Sequence, residues 1–474
     1  MRRIAFLVVL LGCTSLEPGN DFFAADAAVF DVPGADAPDA GPRCDPDPSN
    51  RETIELDGTG DEGLVLAGDT AWSCERNYRI SGQVVVASGT LTVEAGTRVF
   101  PADGALLLVT KDARLVAEGT AAEPIVFSPR EGEARRDGQW RGIVLLGNAP
   151  TVFSPTTSRV AVTVPQTDPR GAFGGPDEDH DCGKLRYVRI EFAGDRREAS
   201  NSYTLPAAGL TFAGCGRDTE VDHVQVHRSS DGIGLYGGSF AMSELLVTAP
   251  AADGIEWVGG FRGLVQFGIV QTFPGSSAAL KGSREESRPT GDPESEPLLY
   301  NLTLVGASGA GANGFETGLR LQAGTLGWAR NALVQGFVGS WVDVVEPETA
   351  LRLTDTTRVG VSQSAFADRT GAGFPTTTEA EEDGGFDENT HFRQAAFGNR
   401  ELPTPPLRRP YDPESPDFSA GFGDVTNPAS VPPPAGFPSY RPVDFYGAMN
   451  GFADDDANRR TEDWTFGWTA YPRE

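Results

Sequence analysis

Two copies of one eight-residue pattern, DGIGLYGG from Asp231 and DGIEWVGG from Asp253, stand 253 − 231 = 22 residues apart. Each follows a short β-rich run, HVQV and then SELLVT, and a third run, LVQFGIV, comes after. Within each copy the side chains alternate: Ile233 and Leu235 correspond to Ile255 and Trp257, while Gly234 and Glu256 lie between them. Period-two alternation nested in a repeat of about 20–50 residues is the signature of stacked strands in a solenoid. At this period, with short strands between turns, the expected fold is all-β, a parallel β-helix. Ile233 should then stack on Ile255, and Leu235 on Trp257, about 4.8 Å away. The Asp-Gly pairs that open each copy read as turns, the aspartate bonding back to its own backbone and the glycine taking a positive φ.

The same grammar extends along most of the chain. Val84, Val86, Leu91 and Val93 alternate as an inward face, and WRGIVLLGNAP from Trp140 is another apolar run. These patterns place the β-helix over residues 53–366, with polar excursions at 151–181 and in the charged stretch KGSREESRPTGDPESEP from Lys281. Residues 367–442 are rich in Pro and Gly and read as a partly ordered strap along the helix. The aromatic segment 443–474 reads as a cap, since a solenoid end exposes core; Trp464 and Trp468 would cap or buttress it. Residues 13–52 are dense in Ala, Asp and Pro, the composition of a disordered stalk.

The strings LVAEGTAAEPIVFSP, WRGIVLLGNAP, LRYVRIEFAG, HVQVHRSSDGIGLYGG and NGFETG, followed by DFYGAMNGF and WTFGWTAYP, occur here in order. In them the chain resembles bacterial lipoproteins and cell-surface proteins with a right-handed, pectin-lyase-like parallel β-helix. That resemblance implies fold and export and supplies no catalytic residue. Residues 1–12 carry two arginines and a short apolar run, the pattern of a signal peptide too short to span a bilayer. Leu10-Leu11-Gly12-Cys13 resembles a lipobox, which implies lipidation of Cys13, a membrane tether and a place on the outer membrane or cell surface; Thr14 favours the outer membrane. Four further cysteines, Cys44, Cys74, Cys182 and Cys215, suit two disulfides in an exported chain. Of the three possible pairings we expect Cys44–Cys74, clipping the entry segment to the first strands, and Cys182–Cys215, whose 33-residue separation suits one coil plus an excursion. Zinc is the rival, without a CxxC motif to support it.

A formal charge of −28, or −30 once Arg2 and Arg3 leave with the leader, argues against nucleic acid as a partner. It suits solubility, a monomer, and binding of cations such as Ca²⁺. Asp177, Glu178, Asp179 and Asp181 form the densest acidic cluster, and Asp231 and Asp253 sit one repeat apart. Both groups are candidate Ca²⁺ ligands, because hard cations take several oxygens. Glu191 and Glu256 alternate with apolar neighbours and should point outward, with Arg189 in phase with Glu191 as a surface salt pair. Such carboxylates can stand at the separation glycoside cleavage needs. No GxSxG motif is present, and no residue is assigned as catalytic.

These features favour a membrane-tethered, non-enzymatic scaffold that presents its loops for adhesion or binding. A polysaccharide lyase or glycosidase working on the β-helix face is the alternative. A component of an envelope assembly, bound to an envelope protein, is the third reading and predicts a sizeable exposed apolar patch.

Overall fold

A computed structural model describes residues 44–473, apart from 134, 154–158, 161–167, 196–203, 206–207, 285–291, 309–315, 356, 369–372, 375–382, 422, 428–430 and 432. Cys13 and most of the expected stalk lie outside the described residues.

The described chain winds into a parallel β-helix. Each coil crosses three faces, which we call sheets I, II and III. The strand Glu220–His227 runs along sheet I, bends at His223 and continues on sheet II; Ile233–Tyr236 follows on sheet III. The next coil repeats this with Ala241–Thr248 and Ile255–Val258. Ile233 pairs with Ile255 and Leu235 with Trp257, the register expected from the 22-residue repeat. Among the described residues sheet III stacks ten strands, from Leu64–Ala67 to Ser340–Val344. Nine steps of about 4.8 Å make the stack about 43 Å long. Val84, Val86, Leu91 and Val93 are buried in the interior, as their alternation requires.

The bend between sheets I and II is made by one residue per coil in the left-handed region. Tyr187, His223, Glu244, Phe267, Asn301, Asn331 and Gln363 hold φ between 48° and 59°. None is glycine, so each coil accepts local strain that stacking on its neighbours outweighs. The Asp-Gly pairs behave differently from their expected turns. Gly232 and Gly254 do not have positive φ. A side chain there would strike the backbone of the next coil, at Gly254 and Ala279 respectively. Glycine is required by the closeness of the coils, not by turn conformation.

Both expected disulfides, Cys44–Cys74 and Cys182–Cys215, are present. The first clips the entry segment to the first coils. The second closes a 33-residue span that contains the strands Gly183–Glu191 and Leu210–Ala213.

The chain after residue 400 lies lengthwise over the outer faces of sheets I and II. Gln225 and Gln271 of sheet II donate to the Ala470 and Pro410 carbonyls, and Asn301 at the bend donates to the Phe445 carbonyl. Leu407, Phe418, Val425, Tyr446 and Met449 of the strap pack on Leu246, Ile269, Val305 and Leu333. Sheet II is therefore buried on both faces there, and Leu264–Gln271 is buried at every residue. The aromatic terminus is no end cap: Trp468 packs edge-on against Tyr187 and His223, on the side of the helix. Buttressing describes Trp464 and Trp468. The core end is covered by Phe374, Phe386 and Phe392, with Phe392 on the helix Glu388–Phe392. A solenoid end needs apolar cover of its own, and the nearest chain supplies it.

Candidate functional site

Outward positions on sheet III form a column along the rod: Thr211, Gly234, Glu256, Lys281, Arg320 and Asp343, one per coil. Beside it, Asp231 and Asp253 precede their strands on successive coils. The Asp231 carboxylate accepts from the Asp253 N–H at 3.0 Å, and the Asp253 carboxylate accepts from the Ala278 N–H at 3.2 Å. The expected back-bond to their own turns gives way to bonds that tie each coil to the next. Lys281 joins the groups, its Nζ lying 3.3 Å from Asp253 and 3.1 Å from Glu256. The Tyr236 hydroxyl donates to Glu256. One coil on, Arg320 binds Asp343 at 2.9 Å.

The cluster is only partly solvated. The Lys281 side chain keeps 26% exposure, Glu256 16% and Asp253 9%. Burial, with the Asp253 and Glu256 charges beside it, pushes the Asp231 carboxyl up to about 7. Burial also raises Glu256, against the opposing pull of Lys281. Lys281 is held above its ordinary value because the two carboxylates outweigh the burial that would lower it. The result is a protonatable acid, two carboxylates and one ammonium within a single hydrogen-bonded group.

An apolar wall borders this group. Val152, Phe153 and Phe173, from the excursion that leaves sheet III after Ile143–Leu146, pack on Tyr236 and Val258. Thr151 fastens the excursion by donating to the Gly259 carbonyl at 2.8 Å. Beyond this wall Asp231, Glu256 and Lys281 are partly solvated, whereas Asp253 is buried.

Other candidates fare differently. Glu178 and Asp179 turn onto Arg217 at 3.0 and 2.7 Å, and Asp181 pairs with Arg114 at 2.7 Å. Asp177 lies 3.5 Å from His180. A cluster committed to arginines does not converge as a Ca²⁺ shell; likewise Asp253 is committed to Lys281, and Asp231 accepts from the Asp253 N–H. Among the described residues, no three His, Cys, Asp or Glu side chains group as a metal's ligands would.

Glu191 and Arg189 do not share a face with Glu256. They lie on sheet II beneath the strap's end, so the expected surface pair is a buried one, at 2.6 Å. Burial alone would raise Glu191, but the Arg189 guanidinium outweighs it and holds the carboxyl below its ordinary value. Beside them, burial drives His227 down to about 4, with Glu191 opposing. The neutral ring donates from Nε2 to the Pro472 carbonyl at 3.0 Å and meets the Thr248 hydroxyl through Nδ1 at 2.7 Å. A cleft of about 330 Å³ opens where His227 and Arg228 meet Glu414, Tyr471 and Arg473.

Sequence reading placed Lys281 at the start of an exposed insertion. It belongs instead to the strand Ala278–Gly282 and completes the cluster. Its spacing of 25 from Glu256, 281 − 256, breaks the 22-residue period because this coil carries a longer turn. The signal that could have found it was the β-pattern AALKG, one coil past DGIEWVGG. Tyr236 lies inside the repeat, where the alternation alone marks no role for its hydroxyl. Large exposed apolar side chains among the described residues are Val65, Leu351 and Phe466, on three separate elements, which gives the envelope-assembly reading no patch.

The family model of the pectate-lyase-like β-helix domain matches residues 63–400. No curated protein and no solved structure matches the chain.

Proposed function

Since the chain belongs to the family of pectate-lyase-like β-helix domains, we propose that it is an extracytoplasmic polysaccharide-binding rod, tethered at the membrane through a lipid on Cys13. The glycan runs along sheet III, over Glu256 and Lys281 and beside Asp231 and Asp253. The observation that carries this reading is the hydrogen-bonded Asp231–Asp253–Glu256–Lys281 cluster, in which Glu256 and Lys281 keep 16% and 26% exposure. The coil repeat of about 4.8 Å is close to the length of one pyranose unit, so successive sugars can meet successive coils. The strap covers much of the outer faces of sheets I and II, and Val152, Phe153 and Phe173 cover sheet III over Leu106, Val144, Leu146 and Tyr236, so among the described residues a ligand would meet sheet III beyond that cover, at Glu256 and Lys281.

Glycoside cleavage is the second reading, favoured by one observation. Asp231, pushed to about 7, is a carboxylic acid beside carboxylates one coil away. Stacked strands set such groups about 5 Å apart, the separation used by retaining glycosidases. An incubation of the exported chain with a polysaccharide panel separates the readings, with retention and chain shortening recorded together. Retention without shortening supports binding, and shortening abolished by Asp231→Asn supports cleavage. Neither effect with any polymer removes both.

A further inference from the structure

We propose that the cover over the core end is a proton-operated latch, closed while the Glu388 carboxyl holds its proton and loosened when it ionises. Ser340–Val344 is the last described strand of sheet III, so part of its outer edge has no coil to pair with. Two of its N–H groups find other partners. Trp341 donates to the Gly373 carbonyl at 2.7 Å, and Val344 donates to Glu388 Oε1 at 3.2 Å. Glu388 opens the helix Glu388–Phe392, so its carboxyl fastens that helix to the strand. The helix in turn holds Phe392 against Phe374, with 5.6 Å between ring centres, and Phe374 covers Trp341 at 5.3 Å.

This fastening suits an acid and not a carboxylate. Glu388 is 0% exposed, and its Oε2 is buried without a hydrogen-bond partner. No basic side chain among the described residues bonds to it. The charged groups that face it are carboxylates: Asp383, 3% exposed, from the loop before the helix, and Asp343 from the strand, where Arg320 holds it. At the helix ends Asp387 accepts from the Thr390 N–H, and Arg393 turns to Glu401. Burial lowers His391 on the same helix, so its titration acts with the opposite sign. Burial, with Asp383 and Asp343 adding to it, pushes the Glu388 carboxyl up to about 7. A neutral acid can stay under the helix, whereas a lone carboxylate there needs water. Lifting the helix supplies that water. The closed value lies above the ordinary 4.5, so the latch is tightest in acid and loosens as pH rises from about 4.5 toward 7. A solenoid end can open in this way while the coils behind it stay folded, because each coil contacts only its neighbours.

Hydrogen exchange on the full chain between about pH 4.5 and 8 tests the latch, with each rate divided by the intrinsic rate at that pH. Protection of the Val344 and His391 amides should fall about a hundredfold up to pH 7, the linkage of one proton, and level off above it. Both should be less protected than Leu264–Gln271 at every pH. In Glu388→Gln the side chain is uncharged throughout and its carbonyl can still accept from Val344, so the dependence should vanish. Flat protection in the wild-type chain overturns the proposal. So does the same fall in Glu388→Gln, which would assign it to another group. Equal protection of the helix and Leu264–Gln271 means that they open as one unit and no latch exists. If the glutamine variant does not fold, Asp383→Asn and Asp343→Asn decide: a fall that survives in both belongs to Glu388, and one lost in either overturns the proposal.

Discussion

Gln266 and Arg441, 175 residues apart, exchange a complete pair of amide hydrogen bonds: Gln266 Nε2 donates to the Arg441 carbonyl at 2.7 Å, and the Arg441 N–H donates to Oε1 at 3.0 Å. Gln225 makes the same pair with Ala470, at 2.7 and 2.9 Å. A glutamine side chain on the helix thus imitates the edge of another strand, and the strap docks on it by its main chain. Arg441 is further held by Glu244 and by the Phe267 ring, 4.4 Å from its guanidinium.

Replacing Gln266 by Ala removes both bonds and leaves two polar groups of Arg441 without partners under the strap. We expect a loss of about 2–3 kcal/mol in strap docking, with the β-helix intact. Hydrogen exchange should show faster exchange around residue 441 and unchanged protection in Leu264–Gln271. Equal loss in both segments would mean that strap and helix unfold as one unit.

Asp231 should make stability depend on pH near neutrality. Its folded value of about 7 lies above the ordinary carboxyl range, so the folded state binds the proton more tightly than the unfolded chain. Stability is highest below pH 4 for this group and falls as pH rises from about 4 through 7. Asp231→Asn keeps an uncharged side chain at every pH. Its melting temperature should drop less than the wild type's between pH 5 and pH 8, and identical drops would contradict the assignment.

His227 has the opposite sign. Its folded value of about 4 lies below the ordinary 6.5, so the folded state disfavours the proton. Its contribution is fully present above pH 6.5 and is lost as pH falls toward 4. The ring touches the Pro472 carbonyl and Tyr471, so acid should loosen the strap's end first. Limited proteolysis near residue 471 should speed up between pH 7 and pH 4, and His227→Gln should flatten that dependence.

Trp257 fills the interior beneath the cluster, 1% exposed, with its indole N–H donating to Thr325 Oγ1 at 3.0 Å. Trp257→Ala should cost about 3–5 kcal/mol in urea unfolding. Trp257→Phe keeps most of the volume and should cost less, though it leaves the Thr325 hydroxyl one donor short. A cost near zero for the alanine variant would mean that neighbouring coils collapse into the space.

The sequence by itself determined the coil. Ile233, Leu235, Ile255 and Trp257 alternate at a fixed offset, and a parallel stack in register is the arrangement that buries all four together. The cysteine spacing was as legible, because partners one excursion apart return to neighbouring coils. Half of the candidate site could also be read, since Asp231, Asp253 and Glu256 lie inside the repeat. Lys281 could not, because its coil is lengthened and its neighbours in sequence are charged. The tertiary structure alone decided which outward carboxylates meet water. Glu191 and Glu256 look alike as outward positions of strands, yet the strap covers Glu191 from more than 200 residues away in the chain and leaves Glu256 partly solvated. Period-two alternation records which side of a strand faces the core. It carries no record of what a distant segment lays over the other side, and that covering decides which outward side chains meet solvent.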